Sequence, residues 1–199
     1  RIAAIDSKVK LDVQAVTRAL NTPWAFELLP DGRFLVTERR GNLRIVDAAG
    51  RIASVTGVPI VHFQGQGGLL DVALDPGFAR NNTIYLSYAE TRSGGNGTSL
   101  AKARLVEDAK GARLDGLTVI FRQLPAFQSD LHFGSRIAFA RDGKLFLTLG
   151  ERGLPAGMVQ SQDLNSHLGK VVRLNTDGTV PADNPFVGKA GAKPEIWAY

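Results

Sequence analysis

Three histidines, His62, His132 and His167, are the side chains of this sequence best suited to moving a proton near neutral pH. His62, in Val58-Pro59-Ile60-Val61-His62, reads as a loop or strand-end residue, and His167 sits among packing and turn residues in Asn165-Ser166-His167-Leu168-Gly169. His132 stands apart because of the hairpin that follows it. With Asp142-Gly143 as a two-residue turn, Gly134 faces Glu151, and His132 and Glu151 project to one side as diagonal neighbours about 7–8 Å apart by backbone. A carboxylate within reach fixes the imidazole tautomer and raises its basicity, as abstraction of a hydroxyl proton requires. The same spacing allows an ordinary cross-strand His–Glu pair at a sheet end, which on geometry alone is the commoner arrangement. A three-residue loop would also break the parity.

The second candidate is Gly65-Gln66-Gly67-Gly68-Leu69-Leu70-Asp71. Glycines let backbone approach a ligand closely, and Gln66 offers a donor and an acceptor to a sugar hydroxyl. The segment precedes a strand and opens no helix, so it is no dinucleotide fingerprint. Taken alone, it equally describes a turn.

The elements that must position these residues follow a repeated unit: a short apolar strand, an Asp-Gly or Asp-Pro turn, and a second apolar strand. It occurs at Trp24–Thr37, Leu70–Tyr88 and Arg136–Leu149. Asp-Gly between alternating apolar segments predicts a β-hairpin. The interval from Asp31 to Asp75 matches one four-stranded propeller blade of about 40–50 residues. The wider gap to Asp142 predicts a further blade or a long insertion. More strands are expected at 41–46, 99–105, 117–121 and 170–174, with a short helical turn possible near Gln162–His167. Loops at Arg92–Gly97 and Leu154–Gly157 read as flexible. The pattern is all-β, with no interdomain linker, and residues 1–199 read as one domain.

Composition sets bounds. A chain of 199 residues with 44% hydrophobic content can bury a core. No apolar run reaches the ~18 residues of a membrane span. Net charge is +5 and pI about 9.7, but the basic residues are scattered and only Arg39-Arg40 are adjacent, which argues against nucleic acid. The absence of cysteine excludes disulfides and thiolate chemistry and fits either redox compartment. An opening at Arg1 without Met suits a mature exported protein or a trimmed chain.

Together the segments resemble the glucose/sorbosone dehydrogenase family, the soluble PQQ-dependent aldose dehydrogenases. The resemblance runs from Thr22-Pro23-Trp24 and Leu29–Arg39 through Gly65–Asp71, His132-Phe133-Gly134-Ser135-Arg136 and Asp163–Ser166 to Gly169–Asn175, Pro181–Phe186 and Pro194–Tyr199. It implies a six-bladed β-propeller of four-stranded antiparallel blades, binding PQQ and Ca²⁺ in a cleft at one end of the axis. It also implies that His132 takes the proton from the anomeric hydroxyl of an aldose while hydride passes to the quinone. Glu151 would support His132, and Gln66 would lie beside substrate and cofactor. The product would be the lactone, electrons would leave to an external acceptor, and the enzyme would be periplasmic. Arg136 is a motif position, structural as readily as functional.

Two departures stand out. The residue before the base is often Asp, Asn or His in that family, and here it is Leu131. Asp130 is the nearest substitute, although on an extended strand its side chain would leave from the other face. The family also continues from Glu-Ile-Trp-Ala-Tyr into a Gly-His-Arg-Asn-Pro-Gln segment that binds PQQ, whereas Tyr199 is the last residue here. The chain is therefore expected to supply the first three to four blades, with no calcium ligands of its own. By itself it should be inactive and should expose strand edges and apolar blade faces. The alternatives are a non-catalytic carbohydrate- or protein-binding propeller, which would not need Gln66, His132 and Glu151 together, and a propeller lactonase. The lactonase wants an axial set of carboxylates and Asn residues that the sequence does not assemble.

Overall fold

The computed structural model describes residues 12–199. Among them the apolar runs form strands in three successive meanders of four. The first contains β1 (Pro23–Leu28), β2 (Phe34–Glu38), β3 (Asn42–Val46) and β4 (Ile52–Thr56). The second contains β5 (Leu69–Leu74), β6 (Thr83–Arg92), β7 (Gly95–Asp108) and β8 (Gly111–Arg122). The third contains β9 (Gly134–Phe139), β10 (Leu145–Leu149), β11 (Val171–Leu174) and β12 (Ile196–Ala198). Pairing within each meander is antiparallel. A short parallel contact, Val55 with Ala112 and Thr56 with Arg113, joins the outer strands of the first two. β1 packs against β5, and β5 against β9, so the meanders are consecutive blades of a β-propeller with their first strands innermost.

The Asp-Gly turns are built alike, and not as the two-residue turn the sequence suggests. In the third blade Ala140 N–H donates to Lys144 O, and Gly143 N–H donates to Ala140 O. This is a three-residue loop with Gly143 in the left-handed region at φ +79°. Asp142 accepts the Lys144 N–H at 3.0 Å. Loops with the same backbone bonds close Leu29–Arg33, Asp47–Arg51 and Asn175–Thr179. The Asp-Gly signal thus marked hairpins correctly but misjudged loop length, because an Asp carboxylate capping the N–H two residues on favours the longer loop.

Apolar faces of adjacent blades meet in two clusters. Leu35, Leu43 and Ile45 of the first blade pack against Val72, Leu86 and Ala101 of the second. Tyr85, Leu100 and Phe121 of the second pack against Ile137, Leu147 and Val172 of the third. Each such fully buried Leu or Ile is worth about 1.5–3 kcal/mol. Polar ties also cross the second interface: buried Asp71 accepts the Ile137 N–H at 2.7 Å and faces the Arg136 guanidinium at 3.3 Å, and Ser87 Oγ donates to Ser135 O at 2.7 Å. Arg136 therefore works as a blade-to-blade bridge. On the outward side of β1, Phe26 and Leu28 are 63% and 56% exposed.

Several expectations are corrected. Of the two alternatives for the interval between Asp75 and Asp142, a further blade is absent and a lengthened stretch is present. The gap is filled by the long strands β6, β7 and β8 and by the connection from Gln123 to Phe133. Arg92–Gly97 is the β6–β7 turn, paired from Arg92 with Gly95 onward, and its Asn96 is buried. The helical turn lies earlier than expected, as α2 (Pro155–Met158) and a 3₁₀ turn (Val159–Gln162), and a further turn, α1 (Phe78–Asn81), interrupts the β5–β6 connection. β4 and β12 had no strong sequence signal.

Candidate active site

The strand ends of the second and third blades bring the predicted residues together. The β9–β10 register slips by one residue between Leu147 and Leu149, so that Leu149 pairs with Gly134. Two residues further out on each chain, His132 lies opposite Glu151, and His132 Nδ1 is 2.5 Å from Glu151 Oε1. The longer turn and this slip each shift the register by one residue. Their combined effect is to turn the expected diagonal relation into a direct one. Neither residue is on a strand, since β9 begins at Gly134 and β10 ends at Leu149.

The backbone carrying His132 is unusual. His132, Gly134 and Ser135 have φ of +45°, +71° and +88°. Left-handed non-glycine residues of this kind cost about 1–3 kcal/mol each and concentrate at functional sites. Gly150 makes the approach possible, because a Cβ there would run into the His132 carbonyl.

His132 is 46% exposed by side chain and Glu151 25%. Partial burial pushes the Glu151 carboxyl up, but the His132 hydrogen bond and charge and the Gly153 N–H outweigh it and leave the carboxyl below its ordinary value. Glu151 is accordingly ionised across the neutral range. Its contribution to folding is present above the unfolded pKa and is lost only as pH falls through the depressed folded one. With Nδ1–H donated to Glu151, Nε2 is the nitrogen left to accept a proton. It makes no hydrogen bond among the described residues.

Gln66 reaches the same place through the backbone. Its Oε1 accepts the His132 N–H at 2.8 Å, and its own N–H donates to Asp130 O at 2.8 Å. The Gln66 loop is held from behind by Arg39, which donates to the carbonyls of Gly65 and Gly67. An open cleft of about 280 Å³ is lined by Trp24, Arg39, Gln66, Leu70, His132 and Phe133, together with Gly134. A larger groove of about 410 Å³ runs along β1 past Trp24 and Phe34. It carries no titratable side chain, so the chemistry belongs to the smaller cleft.

Sequence reasoning missed Arg152. This fully buried guanidinium donates to Leu131 O at 2.9 Å, Asn96 O at 3.2 Å and Asn96 Oδ1 at 2.6 Å, and also to Ser129 O. It also lies 4.0 Å over the Phe133 ring. Burial lowers its pKa to about 10, so it remains a cation at neutral pH. The only hint in the sequence was a charged pair bracketed by glycines, Gly150-Glu151-Arg152-Gly153. Leu131 lies beside the base and is 38% exposed. Among the described residues, no three His, Cys, Asp or Glu side chains group so as to hold a metal ion.

His167 stands apart from this site. His167 is buried: its Nδ1 accepts the Leu124 N–H at 3.0 Å, its Nε2 faces Glu195 at 3.3 Å, and its ring packs on Phe121. Burial lowers its pKa below 6.5, and protonation at Nδ1 would break the Leu124 bond. The unfolded chain therefore binds more protons than the folded one in the window below 6.5. Stability should fall as pH drops through that window. Thermal melts of wild type and His167→Asn between about pH 7 and pH 5 should show a steeper decline in the wild type.

The blades define a β-propeller that carries a carboxylate-oriented histidine, His132, at its strand ends. The chain belongs to the glucose/sorbosone dehydrogenase family, whose profile matches residues 20–199. The aldose sugar dehydrogenase YliI of Escherichia coli (strain K12) is 41% identical over 192 residues, covering 95% of this chain and 50% of that protein. Among solved structures, the apo-form of the soluble aldose sugar dehydrogenase from Escherichia coli superposes with a TM-score of 0.86 at 39% identity, covering 94% of this chain and 53% of that one. The PQQ-bound form of an aldose sugar dehydrogenase from Streptomyces coelicolor gives 0.75 at 33% identity, covering 92% and 52%. The chain thus spans about half the length of these relatives.

Proposed function

We propose that the full-length protein is a PQQ-dependent dehydrogenase that oxidises an aldose at C1 to the lactone, with His132 as the general base. The observation that carries this reading is the His132–Glu151 pair, which fixes the imidazole tautomer and leaves Nε2 directed away from its carboxylate partner. Membership of the family and the PQQ-bound relative support it.

The residues present fit such a cofactor. Among the described residues, Gln66 Nε2 and Arg39 Nη1 make no hydrogen bond to protein, and both residues line the cleft beside His132. Donors of this kind suit a flat, oxygen-rich, anionic group. When bound, PQQ would supply the acceptor for the hydride leaving C1; for calcium, which would act as a Lewis acid, the described residues group no three carboxylate or imidazole side chains. His132 Nε2 takes the proton of the C1 hydroxyl, and Glu151 stabilises the imidazolium that results. Gln66 fixes the His132 backbone through Oε1 and offers Nε2 to the bound groups. Calcium, an external electron acceptor, six blades in the whole ring and a periplasmic location are parts of the same proposal.

The test is reconstitution of the full-length protein with PQQ and Ca²⁺, followed by dye reduction with a panel of aldoses. Aldose-dependent dye reduction that requires PQQ is expected. Failure to bind PQQ, together with no turnover of any aldose, would overturn the reading.

A further inference from the structure

The site has a second histidine–carboxylate pair, which the mechanism above does not use. His62 Nε2 is 2.7 Å from Asp130 Oδ1, and His62 Nδ1 is 3.0 Å from Thr91 Oγ1. His62 lies in the connection between β4 and β5, and Asp130 in that between β8 and β9. These two connections carry Gln66 and His132. We propose that His62 is a positioning residue of this site, holding Asp130 so that the Asp130 carbonyl fixes Gln66 and the chain two residues on presents His132. The proposal rests on the reading of His132 as the base.

Three features support it. First, the imidazole is anchored to a strand: His62 N–H donates to Ala89 O at 2.8 Å, and Thr91, which meets Nδ1, also belongs to β6. A ring held at both its backbone and Nδ1 can aim Nε2–H in one direction only. Second, the tautomer is determined. A carboxylate at 2.7 Å needs a proton on Nε2, while the Thr91 hydroxyl can donate to Nδ1 of the neutral ring or accept from the charged one. Asn96 Nδ2, 3.2 Å from the same Nε2, is then a neighbour and not a hydrogen-bond partner, because both groups are donors; its Oδ1 is taken by Arg152. Third, Asp130 is 49% exposed by side chain, so the pair is too solvated to matter much for stability. Its consequence is geometric. Asp130 O accepts the Gln66 N–H, and Gln66 Oε1 returns to the His132 N–H, closing a loop of contacts from His62 to the base.

Two readouts test this in the full-length protein. Without cofactor, amide hydrogen exchange at Gln66 and His132 should accelerate in His62→Ala and in Asp130→Ala, while the melting temperature hardly moves. With PQQ bound, His62→Ala should lower kcat about tenfold with KM within about twofold, since small misplacements of a base act on the chemical step. His62→Gln, whose Nε2–H can still reach Asp130, should retain most of the activity. Unchanged exchange at both amides in the two alanine variants would overturn the proposal. So would faster exchange with unaltered kcat, or equal losses in His62→Gln and His62→Ala. If His62→Ala does not fold, Asp130→Ala carries both readouts with the same expectations. If the wild-type protein turns over no aldose, the functional reading falls by itself, and the exchange experiment alone decides whether His62 positions the two amides.

Discussion

Replacing His132 by Gln is expected to lower kcat for aldose oxidation by about 10²–10⁴-fold, the range spanned by loss of a positioned general base. Gln keeps the backbone N–H that donates to Gln66 Oε1 at 2.8 Å, so the Gln66 contact should survive. Its amide can still donate toward Glu151, but it cannot accept a proton at neutral pH. The loss should therefore appear in kcat, with PQQ affinity close to wild type, because the side chains offered to the cofactor are untouched. Glu151→Gln should have a smaller effect in the same direction. It removes the charge that stabilises the imidazolium but leaves an acceptor for Nδ1–H. Stopped dye-reduction assays at saturating PQQ would separate the two variants.

The second large effect is expected at Arg152. Arg152→Met keeps much of the apolar stem but removes every donor now serving Leu131 O, Asn96 O, Asn96 Oδ1 and Ser129 O. Buried acceptors left without a partner cost about 1–3 kcal/mol each, and because these share one guanidinium and one loop, a total near 3 kcal/mol is expected rather than their full sum. Among the described residues no carboxylate bonds to this cation, so removing it also relieves its desolvation, a second reason for a total below the sum. Arg152→Lys should recover part of it, since an ammonium has three donors but lacks the planar fork. Urea denaturation of the three proteins would give the order wild type, Lys, Met. The Met variant should also lose activity, because the freed carbonyls belong to the segment that leads into His132.

Much of this architecture was legible in the sequence. The hairpins at Asp31-Gly32 and Asp142-Gly143 showed through because turn chemistry and apolar alternation are local. β4 did not, since Ile52–Thr56 buries only Val55 fully, and β12 is three residues long. The pairing of His132 with Glu151 was reached through a register that the molecule does not use. Parity arithmetic assumes an unbroken ladder, and this one contains a three-residue loop and a slip. Gln66 reads in the sequence as a residue beside a ligand, and in the fold its side-chain oxygen accepts the His132 backbone N–H. The contacts of His62, Asp130, Asn96 and Arg152 were unreadable for a different reason. Their partners lie 21 to 68 residues away in sequence, and many of those partners are carbonyl oxygens, which every residue possesses and no pattern marks.

The most direct test of His132 as the base is a single turnover. PQQ-loaded full-length wild type and His132→Gln would be mixed anaerobically with an excess of aldose, and the reduction of the cofactor followed by absorbance. Wild type should be reduced completely in one phase. The variant should hold PQQ equally well and be reduced about 10²–10⁴-fold more slowly. Reduction of the variant at the wild-type rate would show that the proton leaves by another route, and would contradict the role assigned to the His132–Glu151 pair.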